Sequence, residues 1–283
     1  MILKKFLSRI IPSSAKTRTF CQKEAGELQA VSRLGCSTGN LRSRNTISLA
    51  EIFHSKDIDA IWAESKKAID LFTIPDGTGG VNPGDRRALY YLINYFKPLS
   101  VLEIGTHIGA STLHIASALH IGQITKGGNP RLITVDIADV NSQSARPWVE
   151  YGASNSPLEM IGQLNYGSFV EFVTDTSLHY AATCGRTFDF IFLDGDHRAH
   201  TVYREIPVAL SLLNPNGVIL LHDYFPGMKP LWSNGSVIPG PYLAAERLKK
   251  EGANLTVLPL GELPWPTKLQ SNVTSLALLL KNG

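Results

Sequence analysis

The chain has 283 residues, of which 43% are hydrophobic and 18% charged, a composition ordinary for a soluble globular protein. This length fits one core domain with an appendage better than two full domains. No apolar stretch approaches the roughly 18 residues of a membrane span, so we expect no membrane span. The cysteines, Cys21, Cys36 and Cys184, are too scattered for a disulfide framework or a zinc site, which predicts free thiols in a reducing compartment.

The net charge of +3 conceals a basic N-terminus. Residues 1–50 contain nine Lys and Arg residues and two acids, which leaves a net charge of −4 for the remainder. A mildly acidic folded part argues against a nucleic-acid-binding core. We therefore expect residues 1–45 to be a basic, flexible tail that is dispensable for folding, in a cytoplasmic protein. The alternative is an organellar presequence, because residues 1–23 contain Arg and Ser and no acids before Glu24.

Helical spacing of apolar residues predicts two helices before the first strand. Over 47–72, apolar side chains recur every three or four positions: Ile52, Ile58, Ile61, Trp62, Ile69, Leu71 and Phe72. A Gly/Pro-rich break follows, and a second helix over 85–97 is predicted to end before Pro98. Residues 46–98 are thus expected to form a helical N-terminal extension.

From residue 99 onward, strands and helices alternate. Apolar runs predict strands at 100–105, 131–137, 170–175, 188–194, 216–223, 254–260 and 274–281, with helices at 109–120, 200–213 and 240–252. Nearly continuous apolar runs are typical of a parallel sheet covered on both faces, and right-handed crossovers then give a doubly wound α/β sheet of seven strands over 99–283. Because no helix separates the last two strands, we expect them to form an antiparallel hairpin. Segments 138–169 and 225–239 have no readable pattern.

Residues 101–112, VLEIGTHIGAST, lead from a buried strand through a tight turn into a helix. Gly105 permits the sharp turn, and Gly109 is expected to let a ligand approach the helix N-terminus closely. The spacing differs from the GxGxxG of dinucleotide enzymes. A sulfonium amino acid carries positive charge and an ammonium group, which suits Glu103. We therefore expect this turn, including Thr106 and His107, to bind such a ligand.

Polar residues also end the next two strands. An acid at the position of Asp136 can accept hydrogen bonds from both ribose hydroxyls of a nucleoside, and a turn cap is the alternative. Asp175 and Thr176 end the third strand, where an acid or hydroxyl can bind an adenine amino group. A helix N-cap explains these two residues equally well.

Two later strands deliver acids and histidines to the same edge, in the runs FDFIFLDGDH and GVILLHDY. Neighbouring parallel strands lie roughly 4.8 Å apart, so Asp194 and Asp223, each at a strand end, can approach one another. Two close carboxylates repel unless a cation or a proton lies between them. We therefore expect them to hold Mg²⁺, with separate capping roles as the alternative.

Together these motifs resemble class I S-adenosylmethionine-dependent methyltransferases over about residues 80–283. The run LDGDH followed by LLHDY is similar to the group containing macrocin-type sugar O-methyltransferases and, more distantly, to catechol O-methyltransferases. The resemblance implies that Glu103 and Ser111 hold the methionine moiety, that Asp136 holds the ribose, and that Asp194 and Asp223 hold a metal.

Two positions depart from the catechol enzymes. Those enzymes have Asn where this chain has Tyr224, which leaves the third metal ligand unassigned. They have Lys where this chain has His197, which implies His197 as the general base.

The predicted reaction is therefore transfer of a methyl group from S-adenosylmethionine to a hydroxyl of a small-molecule acceptor such as a sugar or phenol. His197 and Asp194 are the predicted catalytic residues, and Mg²⁺ is the predicted metal. The two alternatives are a non-catalytic binding protein with the same fold and a nucleotide-dependent oxidoreductase, against which the missing GxGxxG counts. The acceptor's identity and a homo-oligomeric state are left open.

Overall fold

A computed structural model describes residues 14–78 and 80–283, in which helices cover both faces of one seven-stranded sheet. The strands are β1 (Ser100–Ile104), β2 (Arg131–Asp136), β3 (Val170–Thr174), β4 (Phe188–Leu193), β5 (Leu213–Leu221), β6 (Leu255–Pro259) and β7 (Ala277–Lys281). The helices are α1 (Ser14–Gln29), α2 (Leu49–Phe53), α3 (Lys56–Ile69), α4 (Pro83–Phe96), α5 (Ala110–Lys126), α6 (Pro147–Glu150), α7 (Pro157–Gln163), α8 (Ser177–Thr183), α9 (Ala199–Ser211) and α10 (Gly240–Lys250). Short 3₁₀ turns occur at Arg44–Thr46 and Pro226–Met228.

The strand order is β3-β2-β1-β4-β5-β7-β6. Strands β1 to β5 are parallel, whereas β7 runs antiparallel to both of its neighbours. The predicted doubly wound sheet, its seven strands and the antiparallel C-terminal pair are confirmed. Because the strand order reverses between β1 and β4, a crevice opens at their carboxyl ends, which is where such sheets bind ligands.

Successive residues of each strand contribute side chains alternately to two hydrophobic clusters on opposite faces of the sheet. Val101 belongs to the first cluster and Leu102 to the second, as the period of two along a strand requires. The first cluster also contains Trp62 from α3 and Tyr90 from α4. The helical extension therefore shares its core with the sheet.

The predicted helix over 47–72 is two helices, α2 and α3. The Ser55 hydroxyl accepts a hydrogen bond from the Ile58 N–H at 3.3 Å and so caps a new helix after His54. The apolar positions are buried as expected apart from Ile61, which is partly buried, and Leu71, which is 74% exposed because α3 ends at Ile69. Within the described ranges, no helix is long and apolar enough to cross a lipid bilayer.

The structure differs from the expectation of a flexible tail, because residues 14–45 pack against the sheet domain. Leu28 and Leu41 are buried, at 4% and 3% exposure. The Arg42 N–H donates to the Gly217 carbonyl at 2.9 Å, and the Lys281 N–H donates to the Arg42 carbonyl at 2.8 Å. The sequence did not predict this packing, because apolar residues are sparse in residues 14–45 and the charge pattern there is typical of a flexible tail. The part of the predicted tail and presequence before residue 14 lies outside the described residues.

Glu24 in α1 caps the N-terminus of α9, because the N-cap residue of α9 itself provides no side-chain cap. Its buried carboxylate accepts the Ala199 N–H at 2.7 Å, whereas Arg198, at the N-cap position, makes no side-chain cap.

We expect Glu24→Ala to lower the free energy of unfolding by about 1–2 kcal/mol, because an N-cap acceptor is lost. Denaturant unfolding measures the change. Glu27→Ala, which removes a half-buried carboxylate that lies 3.5 Å from Lys23 in the same helix, is the matched control, and equal effects of both variants would contradict this capping role.

Candidate functional site

The turn after β1 is organised by the carboxylate of Asp136 at the end of β2. Asp136 Oδ2 accepts the backbone N–H groups of Thr106 and His107 at 3.1 and 2.9 Å. Its Oδ1 accepts the Ala138 N–H at 2.9 Å. Gly105 has φ +99°, and a side chain there would collide with the Asp194 carbonyl. The turn is thus fixed between β2 and the end of β4 before any ligand binds.

Glu103 lies beneath this turn and is fully buried. Its Oε2 accepts hydrogen bonds from the hydroxyls of Thr112 and Thr134. Among the described residues, its Oε1 has no hydrogen-bond partner. Burial raises the pKa of Glu103 to about 7, with the charge of Asp194 adding to the effect and neighbouring hydroxyls opposing it. The carboxyl therefore changes its charge near neutral pH.

Gly109 packs closely against α7. It lies at φ +77°, and a Cβ there would come within 2.7 Å of Pro157 Cβ. The glycine is therefore required for the contact between the start of α5 and α7, and close approach of a ligand at this position stays a prediction. Ser111, the second residue of α5, is buried, at 3% exposure.

Asp175 and Thr176, the two predicted adenine-binding residues at the end of β3, already have hydrogen-bond partners. Thr176 is the N-cap of α8, its hydroxyl accepting the His179 N–H at 3.2 Å. Asp175 Oδ2 lies 2.6 Å from His179 Nδ1, an interaction that lowers the pKa of Asp175. Both contacts favour the capping alternative, and adenine binding by these residues stays a prediction.

The two predicted metal acids are linked through two imidazole rings. His222 Nδ1 lies 2.6 Å from Asp194 Oδ1 and 3.8 Å from Asp223 Oδ1. His197 Nε2 lies 3.8 Å from Asp194 Oδ1 and 3.5 Å from Asp223 Oδ2. We call these four residues the acid–histidine cluster. The predicted catalytic pair, His197 and Asp194, is thus brought together at the carboxyl ends of β4 and β5.

Opposite charges stabilise one another within this cluster. Burial by itself lowers the pKa of His222, but the charges of Asp194 and Asp223 and the nearby Asp85 raise it well above its ordinary value. Burial by itself raises the pKa of Asp223, but positive charges led by His222 and His197 hold it below its ordinary value. An imidazolium at His222 therefore lies between two carboxylates.

Supporting residues from outside the motifs hold the cluster. Asp85 in α4 is fully buried, and its Oδ2 lies 3.6 Å from His222 Nε2. The Ser275 hydroxyl donates to Asp223 Oδ1 at 3.2 Å. Sequence reasoning missed His222, Asp85 and Ser275. Strand alternation could have placed His222 on the face of Leu220 that α4 covers, but nothing local in the sequence marks Asp85 or Ser275.

The donor set does not suit the Mg²⁺ that the resemblance implies. Mg²⁺ prefers six oxygen ligands, whereas imidazole nitrogens suit ions such as Zn²⁺. In the part of the chain that the structure describes, Asp194, His197 and His222 have potential ligand atoms within 4.8 Å of one another, and two of these three ligands are imidazoles. Tyr224 supplies no further oxygen, because its side chain is buried in the hydrophobic core. Magnesium at Asp194 and Asp223 stays a prediction, and this chemistry argues against it.

The raised pKa of the buried Glu103 predicts how the free energy of unfolding depends on pH. The unfolded carboxyl titrates near its ordinary value of 4.5 and the folded one near 7, so its contribution to stability is full below pH 4.5 and lost as pH rises through 7. Glu103→Gln imitates the protonated form and lacks this titration. We expect the stability of the wild type relative to the variant to fall by about 3 kcal/mol between these pH values. Urea unfolding at several pH values measures it, and a difference independent of pH would contradict the assignment.

Known proteins resemble the chain in this region. A family model described as a methyltransferase domain matches residues 102–224. The Probable O-methyltransferase of Mycobacterium tuberculosis is 24% identical over 176 residues, which are 61% of this chain and 60% of that protein. The chain thus matches less than two thirds of that relative's length.

Solved structures share the fold. The O-methyltransferase TomG of Streptomyces achromogenes, involved in tomaymycin synthesis and solved with S-adenosylmethionine, gives a TM-score of 0.51 at 19% identity, covering 81% of this chain and 91% of that one. The S-adenosylhomocysteine-bound methyltransferase PaMTH1 of Podospora anserina gives 0.50 at 15% identity, covering 97% and 99%. Residues 102–224 therefore resemble a methyltransferase domain, and the chain shares the fold of these solved methyltransferases.

Proposed function

We propose that this protein transfers a methyl group from S-adenosylmethionine to a hydroxyl oxygen of a small-molecule acceptor. The observation that carries the proposal is the juxtaposition of two sites at one edge of the sheet. The turn held by Asp136 follows β1, and the acid–histidine cluster follows β4 and β5. A hydrogen bond of 2.9 Å from the Asp194 N–H to the Ile104 carbonyl joins the two sites directly.

The turn offers buried polar atoms that suit the methyl donor. Glu103 Oε1 and His107 Nδ1 are buried without a hydrogen-bond partner in the described part of the chain, so each has an unused capacity. In this proposal, Glu103 and Ser111 hold the methionine moiety and Asp136 holds the ribose through the remaining acceptor capacity of Oδ1. S-adenosylmethionine supplies a methyl group already activated by its sulfonium charge, so positioning is most of what the protein must provide.

The acid–histidine cluster provides the proton acceptor. The acceptor oxygen forms a bond to the methyl carbon while the bond from that carbon to sulfur breaks, and the hydroxyl proton passes to His197 Nε2. Asp194 and Asp223, at 3.8 and 3.5 Å from this nitrogen, stabilise the imidazolium that forms. The His197 side chain is 29% exposed, which leaves it accessible to an acceptor. No step in this mechanism needs Mg²⁺.

Donor binding should depend on Asp136. Asp136→Ala removes the acceptor for the Thr106 and His107 N–H groups and, in this proposal, for the ribose. We expect it to weaken S-adenosylmethionine binding by about 1–3 kcal/mol, the cost of leaving such groups unpaired. Isothermal titration calorimetry measures the affinity, and Asp139→Ala, in the next loop, is the matched control. A wild-type protein with no measurable affinity for the donor would end the proposal.

Methyl transfer should depend on His197. With labelled donor and a panel of sugars and phenols, we expect a methylated product, and we expect His197→Gln to lower kcat by about 100-fold or more with unchanged donor affinity. His200→Gln, three residues on and outside the cluster, should retain activity. The same assay with EDTA tests the magnesium prediction: turnover should persist, and a loss restored by Mg²⁺ would show that the predicted metal is used. If His197→Gln remains fully active, His197 is not the proton acceptor.

A further inference from the structure

The segment between β6 and β7 carries a lysine, Lys268, at the sheet edge where the acid–histidine cluster lies. β6 ends and β7 begins at the same sheet edge as the cluster, since β7 is antiparallel to β5. Two hydrogen bonds join this segment to the site. The Ser275 hydroxyl donates to Asp223, and the Tyr224 N–H donates to the Ser275 carbonyl at 2.8 Å.

Lys268 lies on an aromatic platform in this region. Its Nζ is 3.6 Å from the centre of the Trp232 ring. Trp232 is only 5% exposed, and its Nε1–H donates to the Val273 carbonyl at 3.2 Å. A cation–π contact of this kind holds the ammonium group in place while leaving its N–H donors available.

Hydrogen bonds hold the turn that carries Lys268. The Thr267 hydroxyl donates to the Val273 carbonyl at 2.6 Å, and the Ser271 N–H donates to the Lys268 carbonyl at 3.0 Å. Leu269 and Gln270 both have positive φ, at 53° and 58°. Such left-handed non-glycine residues are unfavourable and tend to occur at functional sites, where the surroundings enforce them.

The positive charge of Lys268 acts on Asp223 in the acid–histidine cluster and is not neutralised by a neighbouring carboxylate. It is one of the positive charges, after those of His222 and His197, that oppose burial and hold the pKa of Asp223 below its ordinary value. Across residues 14–78 and 80–283, no carboxylate forms a salt bridge with Lys268. An exposed cation held at the edge of an acidic centre can bind an anion that the carboxylates would otherwise repel.

We infer that Lys268 is a specificity residue that binds an anionic group, a carboxylate or a phosphate, on the acceptor whose hydroxyl is methylated. This inference rests on the proposed function. The anionic group lies at Lys268, and the hydroxyl lies at His197. A neutral acceptor of the same shape gains nothing from the lysine, so the residue discriminates by charge.

The experiment compares matched acceptors in the full-length chain at saturating S-adenosylmethionine. The pairs are 3,4-dihydroxybenzoate with its methyl ester, and glucose 6-phosphate with methyl glucoside. We expect the anionic member of at least one pair to have a kcat/KM about tenfold or more above its neutral partner. The responding pair identifies carboxylate or phosphate as the recognised group.

The Lys268→Gln variant should remove this preference by raising KM for the anionic acceptor with little change in kcat. Lys229→Gln, an exposed lysine of the neighbouring 225–239 segment, is the matched control and should keep it. Because Lys268 is exposed, the variant should retain its melting temperature and donor affinity. Neutral acceptors used as well as anionic ones, or a preference that survives Lys268→Gln, would overturn the inference alone. Donor binding without methyl transfer to any member would overturn the proposed function and this inference together.

Discussion

The site depends on two carboxylates that have to be kept close at the ends of neighbouring strands. Asp194 and Asp223 follow β4 and β5, and their repulsion would separate the strand ends if nothing lay between them. His222 and His197 each approach both acids, and the imidazolium of His222 supplies the compensating positive charge. The buried Asp85 approaches His222 from the side away from Asp194, which extends the network into α4. The helical extension is therefore part of the site's support.

The turn after β1 is held by two carboxylates, which accept hydrogen bonds from backbone N–H groups and from hydroxyls. The N–H groups of Thr106 and His107 converge on one oxygen of Asp136, and the hydroxyls of Thr112 and Thr134 converge on one oxygen of Glu103. Both acids thus keep a second oxygen with spare acceptor capacity. A site prepared in this way loses little conformational entropy when a ligand binds, which favours both affinity and orientation.

The sequence was most informative where one physical rule decides the outcome. Continuous apolar runs separated by helices predict the parallel sheet, and strand ends predict where Asp194, His197 and Asp223 meet. The prediction of one helix over 47–72 was wrong because the Ser55 cap competes with helix continuation, and apolar spacing does not register that competition. The role of Gly109 depends on Pro157, which lies in a segment without a readable pattern. The packing of residues 14–45 depends on partners such as Ala199 and Gly217 that are distant in the sequence.

The position of β7 restricts the order in which the sheet can be assembled. Strands β1 to β5 can pair among themselves, but β6 precedes its neighbour β7 in the chain and is hydrogen-bonded only to it within the described sheet. Until β7 inserts, one edge of β5 presents unpaired N–H and C=O groups beside strongly apolar side chains. Leu278, Leu279 and Leu280 are fully buried afterwards, so the inserting segment is itself apolar. The edge of β5 that β7 later covers is consequently where two copies of the chain would associate wrongly during refolding. The yield of native protein would then fall as protein concentration rises.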